Sequence, residues 1–259
     1  MMAQTFDHSR GEIFEHDGAR LYYEVIGNED KPALLYLHGG FGHIADINPI
    51  LPALADDFKI IGIDSRGHGR STTDSGEYTY ARLQSDVEAV LEHLGIDTLS
   101  IIGFSDGGIV AYRLGVFSSL AISKLITVGA RWHSKNNDGY HEFFQKLTGD
   151  IMKERQPEYY AAYQRLNPAP DFNKFIKELI PMWLDSTETG YPNENIERID
   201  CPLMLIRGDK DHLFGLKEMV ELSKWQKDAA LFNIPFAGHA AFVDQGELFT
   251  LGLKQFLAS

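Results

Sequence analysis

Cysteine is almost missing from this chain: 259 residues contain one, Cys201. No internal disulfide can form, so the fold must rest on its own core. Cys201 stands just before an apolar run, which suits a buried structural thiol rather than a nucleophile. Long apolar runs are missing too, and none approaches the about 20 residues that span a bilayer. The N-terminus, MMAQTFDHSRGEIFEHDG, is polar and lacks an apolar h-region, so no signal peptide is expected. Positive charge is in deficit. Lys plus Arg number 24 against 37 Asp plus Glu, for a net charge of −13. That balance disfavours nucleic acid and anionic membranes as partners. Repeats, low-complexity tracts and long charge runs are absent. No histidine pair has zinc spacing. Gly39-Gly40-Phe41-Gly42 lacks the Lys-Ser/Thr of a phosphate loop, and no GxGxxG occurs. No metal and no cofactor is therefore expected.

What is present is an ordinary globular composition, 44% hydrophobic and 24% charged, sufficient for a core of good size. The stretch 99–110, LSIIGFSDGGIV, organises the rest. Leu99 to Ile102 suits a strand buried on both faces. A tight Gly103-Phe104-Ser105-Asp106-Gly107-Gly108 segment follows, and Ile109 to Tyr112 can begin a helix. Between a strand and a helix, G-x-S-x-G sets its serine on a turn sharp enough to strain the backbone. The glycines are needed because a Cβ would strike the adjoining strand or helix. The helix's free N–H groups then lie under a reacting oxygen.

Short strands are expected at 12–16, 20–26, 33–37, 58–63, 124–128, 203–206 and 230–234, with Asp17-Gly18 turning the first pair into a hairpin. Helices are expected at 46–55, where Pro49 and Pro52 blur the start, and at 80–94, 216–225 and 244–257. This alternation predicts a parallel sheet with helices on both faces. It breaks between about 131 and 198, where aromatic-rich helices are expected at 140–155, 158–166 and 172–184. We read a core formed by 1–130 and 199–259, with 131–198 a helical cap over the carboxyl edge of the sheet.

Ligands bind outside the carboxyl ends of strands in such sheets. His38-Gly39-Gly40, Ser105, Asp209 with Asp211, and Gly238-His239 all fall there. A serine hydroxyl needs a base within hydrogen-bond reach, and His239 is best placed. Asp211 or Asp209 can fix its tautomer. His38 is expected to brace its loop. Asp64, Arg66 and His68 are expected to stabilise a turn, and His212 to face solvent or pack. Phe41, Trp132 and Trp183 are the expected substrate-contacting aromatics, with His133 a further candidate.

HGGF at 38–41, DSRGHGRS at 64–71, GFSDGG at 103–108, RGDKD at 207–211 and GH at 238–239 come in order after the expected strands. In this the chain resembles the α/β-hydrolase superfamily, in its small esterase-like members with a GFSDGG elbow. The resemblance implies a mostly parallel eight-stranded sheet with a helical cap. It implies Asp211 as the acid, and the backbone N–H groups of Asp106 and Gly40 as oxyanion donors, with Phe41 the neighbouring alternative for the second. It implies cleavage of small carboxylic esters, lactones or thioesters through an acyl-enzyme on Ser105. The fold also hosts carbon–carbon bond hydrolases, perhydrolases and slow-turnover ligand receptors. Dehalogenases and epoxide hydrolases carry aspartate at the elbow, which Ser105 argues against. The Asp106 side chain either points away, leaving only its N–H in use, or raises the histidine's basicity or attracts a cationic substrate group. A cytoplasmic protein with a small-molecule substrate is expected, and its oligomeric state is unknown.

Overall fold

The computed structural model describes residues 5–74, 76–135 and 139–259. The first four residues of the polar N-terminus and 136–138 of the insertion lie outside them. Eight strands form one sheet: β1 (Glu12–His16), β2 (Ala19–Gly27), β3 (Ala33–Leu37), β4 (Lys59–Ile63), β5 (Thr98–Phe104), β6 (Ala121–Val128), β7 (Leu203–Gly208) and β8 (Ala230–Ile234). Their order is β1-β2-β4-β3-β5-β6-β7-β8. The pairs β1–β2 and β2–β4 are antiparallel, and every other pair is parallel. The Asp17-Gly18 turn joins β1 to β2 with φ of 44° and 75°. Positive φ at both central residues matches the right-handed twist of the strands, which explains why Asp-Gly serves there.

β3 is apolar along its whole length, and all five of its residues are buried. Alternation divides them between two cores. Leu35 and Leu37 join a cluster with Ile101 and helix α1 (Tyr80–His93), whereas Leu34 and Tyr36 face Phe6, Ile102 and Phe249 on the other side. Helix α2 (Asp106–Phe117) packs on the first face directly after β5.

Four helices fill the break in the alternation: α3 (Tyr140–Gln145), α4 (Gly149–Arg155), α5 (Pro157–Leu166) and α6 (Phe172–Trp183). No strand occurs among the described residues of 131–198. The expected single helix at 140–155 is divided, because Thr148 caps a new start by accepting from the Ile151 N–H at 3.3 Å. The helix expected at 46–55 is replaced by 3-10 turns at Ile44–Ile47 and Leu51–Ala53. Pro49 and Pro52 cannot donate the bonds that a continuous α-helix needs. The insertion has no separate core. Its Phe144, Phe172, Phe175 and Trp183 belong to the same cluster as the sheet face. Asn167 ties it down through Nδ2, which donates to the Gly67 carbonyl at 3.0 Å and the Ser71 carbonyl at 3.2 Å.

Three further helices close the chain: α7 (Leu216–Trp225), α8 (Ala241–Asp244) and α9 (Gly246–Ala258). The last two replace one helix expected at 244–257, with a break at Gln245. Among the described residues, no helix is long and apolar enough to cross a membrane.

Candidate active site

Ser105 sits between β5 and α2 with φ 51° and ψ −116°. Residues with a Cβ avoid that region, and it persists only where surroundings enforce it. They do so here. The Ser105 N–H donates to the Val128 carbonyl at 2.8 Å, and its own carbonyl accepts from Gly108 at 2.9 Å and Ile109 at 3.1 Å. The flanking glycines permit the packing. A Cβ on Gly103 would stand 2.7 Å from the Gly108 Cα, and one on Gly107 would strike the Leu37 carbonyl.

His239 follows β8, and its Nδ1 lies 3.0 Å from both carboxylate oxygens of Asp211. This geometry resolves the choice between the two aspartates: Asp209 is exposed, whereas the Asp211 side chain is fully buried. Burial alone would raise the Asp211 carboxyl. The hydrogen bond from His239 and those from the Leu213 and Phe214 N–H groups outweigh it and hold the group below its ordinary value. Asp211 is thus a carboxylate, which fixes Nδ1–H on the imidazole and leaves Nε2 as the free base. Gly129, with φ 60°, makes room for the ring, since a Cβ there would come within 2.9 Å of His239 Cε1. Ser105 and His239 open onto one cavity of about 410 Å³. Among the described residues no hydrogen bond joins the two side chains.

Three residues of the same cavity wall keep an unengaged backbone donor. The N–H groups of Asp106, Gly40 and Phe41 bond to no acceptor among the described residues. The Gly42 N–H donates to the Gly39 carbonyl at 3.0 Å and closes the loop as a turn, with Phe41 at φ 64°. His38 braces this loop as expected. Its Nδ1 donates to the Gly39 carbonyl at 2.7 Å, while Nε2 accepts from the Ser65 N–H at 2.9 Å. Burial lowers its basicity, so it stays neutral. The Asp64–Arg66–His68 cluster is structural too. Arg66 is fully buried and grips Asp86 at 2.7 and 2.6 Å. Asp64 accepts from the Ile44 and Arg70 N–H groups and pairs with His8.

The Asp106 side chain does not point away from the cavity. It lines the cavity, yet both its oxygens are engaged: Oδ1 by the Tyr80 hydroxyl at 2.9 Å and Oδ2 by Trp183 Nε1 at 2.8 Å. Burial raises its carboxyl above the ordinary value, with the two hydrogen bonds opposing.

Phe41 and Trp183 line the cavity as expected. Trp132 does not. It is 1% exposed and packs against Trp225 and His133, the latter buried as well and also off the cavity. The residue before it, Arg131, lines the cavity in its place. Arg131, Tyr140, Phe144 and Met152 are cavity residues that sequence reasoning missed. For Arg131 the available signal was its place just beyond the carboxyl end of a buried strand.

Residues 32–153 match the family model described as the alpha/beta hydrolase fold. Proline iminopeptidase PfmaB of Pestalotiopsis fici is 24% identical over 95% of this chain and 99% of its own length. The bifunctional esterase/perhydrolase DCH of Acinetobacter calcoaceticus is 24% identical over 96% of this chain and 100% of its own. The crystal structure of a hydrolase from Pseudomonas aeruginosa PA01 superposes with a TM-score of 0.77 at 23% identity, covering 98% of this chain and 100% of that one. The chain has the alpha/beta hydrolase fold, which the family-model match and the eight-stranded, mostly parallel sheet both show.

Proposed function

We propose that the protein is a serine hydrolase that cleaves small carboxylic esters through an acyl-enzyme on Ser105. The observation that carries the reading is the Asp211–His239 pair at 3.0 Å, facing the cavity onto which the strained Ser105 opens. In this reading His239 Nε2 takes the Ser105 proton as Oγ attacks the ester carbonyl. The tetrahedral oxyanion accepts from the N–H groups of Asp106 and Gly40. His239 then hands its proton to the departing alcohol. Water, deprotonated by the same imidazole, attacks the acyl carbon, and the acid leaves as Ser105 regains its proton.

A cavity of about 410 Å³ suits a small substrate. Residues 131–198 act as the cap, with Trp183 above the oxyanion site. A relative named as a bifunctional esterase/perhydrolase supports ester bonds, and one named as a proline iminopeptidase makes amides the control. The test is turnover of short esters, lactones and amides against a Ser105→Ala blank, with a fluorophosphonate probe mapped to its attachment site. Labelling of Ser105 and multiple turnover of esters are expected. Labelling elsewhere, or a single slow acylation without release, would overturn the reading.

A further inference from the structure

Two charged side chains line the cavity beside Ser105, and they differ in what they have left to offer. Asp106 has both oxygens occupied. Arg131 has only part of its fork occupied. It is 4% exposed. Its Nη2 donates to the Lys135 carbonyl at 2.8 Å and lies 2.8 Å from Glu218 Oε1. The Tyr140 ring covers one face of the guanidinium, with Cζ 3.8 Å from the ring centroid. Nε is buried without a partner, and Nη1 donates to none of the described residues. Glu218 cannot swing over to serve these atoms, because its Oε2 holds the Gly215 N–H at 3.0 Å. A buried N–H without an acceptor is costly, and a guanidinium offers five donors in a fixed fork suited to carboxylates.

Arg131 shares the cavity wall with Ser105 and His239. It is two residues past Gly129, whose backbone packs against the His239 ring and Asp211. A substrate held near His239 therefore shares one cavity with the Arg131 fork, whose Nη1 is the donor left to it. We propose that Arg131 is a specificity-determining residue that receives a carboxylate on the substrate, so that the preferred esters are anionic. Cationic esters gain nothing here, because the one carboxylate in the cavity wall is already committed to Tyr80 and Trp183. The inference deepens the ester-hydrolase reading and rests on it for turnover, but not for binding.

The experiment compares matched pairs. Methyl hydrogen glutarate against methyl pentanoate places the carboxylate on the acyl side. 4-Acetoxybenzoate against 4-acetoxybenzamide places it on the alcohol side. The charged member of one pair is expected to be favoured about tenfold to a hundredfold in kcat/KM, chiefly through KM. Arg131→Gln is expected to abolish that preference. Equal rates within both pairs would overturn the inference, as would an Arg131→Gln effect of the same size on charged and neutral members, the mark of a mere brace. A calorimetric titration of the unaltered protein with glutarate and with glutaramide needs neither a variant nor turnover. Tighter binding of glutarate supports the inference, and equal binding overturns it. Glutarate binding without turnover of any ester would instead count against the hydrolase reading.

Discussion

Trp183 donates its indole N–H to Asp106 across 2.8 Å, so the last residue of α6 is fastened to the residue directly after Ser105. The same carboxylate accepts from Tyr80 in α1 on the core side. Helices α1 and α6 thus meet on one side chain whose backbone N–H is also a proposed oxyanion donor. The aromatic contacts continue outward: the Phe41 ring lies 5.3 Å from Trp183, and Phe144 4.6 Å from it.

Trp183→Phe keeps the ring packing and removes the donor. We expect a stability loss of about 1–3 kcal/mol, read as a Tm fall of about 2–4 °C for each kcal/mol. KM should rise more than kcat falls, since the cavity wall loosens while Ser105 and the Asp211–His239 pair stay in place. An unchanged Tm and KM in this variant would show that the Asp106 tie contributes nothing.

Ser105→Ala should lower kcat on the order of 10⁶-fold, as nucleophile removal does in another serine hydrolase. Asp211→Asn keeps the shape but favours the wrong imidazole tautomer, and should lower kcat about 10⁴-fold. Asp209→Asn should change little, because that residue is exposed and outside the pair. Steady-state rates on one short ester rank all three.

Gly40→Ala tests the oxyanion donor, which cannot be deleted directly. The new Cβ would lie 2.8 Å from Asp106 Oδ2 and 3.2 Å from Trp183. Both neighbours are held by hydrogen bonds, so the loop must move instead. Misplacing one donor should lower kcat about 10²-fold, with a far smaller change in melting temperature. Full activity in Gly40→Ala would exclude its N–H from the oxyanion site.

Asp46 supplies a pH dependence under the same loop. It caps the first 3-10 turn through the His43 N–H at 3.1 Å, and burial raises its carboxyl to about 7. An unfolded carboxyl titrates near ~3.9. Folding therefore favours the protonated form. Its stabilising effect is complete below about pH 4 and is lost as pH rises toward 7. Asp46→Asn removes this loss and keeps an acceptor for His43. The variant should be the more stable by on the order of 2–4 kcal/mol above pH 7, with the gap vanishing near pH 4. Denaturant titrations at pH 4 and pH 8 measure it, and a constant difference at both would refute the assignment.

Much of this was written locally. The apolar strands, the glycines about Ser105 and the Asp-Gly hairpin depend on neighbours within a few residues, and pattern alone carries them. The order of Ser105, Asp211 and His239 along the chain was equally legible, because each follows a strand of one parallel sheet. Helix ends were less so. The break at Thr148 and the 3-10 turns near Pro49 and Pro52 reflect competition among local bonds that periodicity does not see.

By itself the sequence determined a strained serine between two glycine-lined elements, a histidine and two aspartates downstream, and an acidic chain without disulfides. Only the tertiary structure decided that Arg131 and not Trp132 faces the cavity, and that Asp106 bonds to Trp183. Asp106 and Trp183 stand 77 positions apart. A side chain's direction follows from strand alternation and from the packing of distant elements, and neither is encoded at any single position.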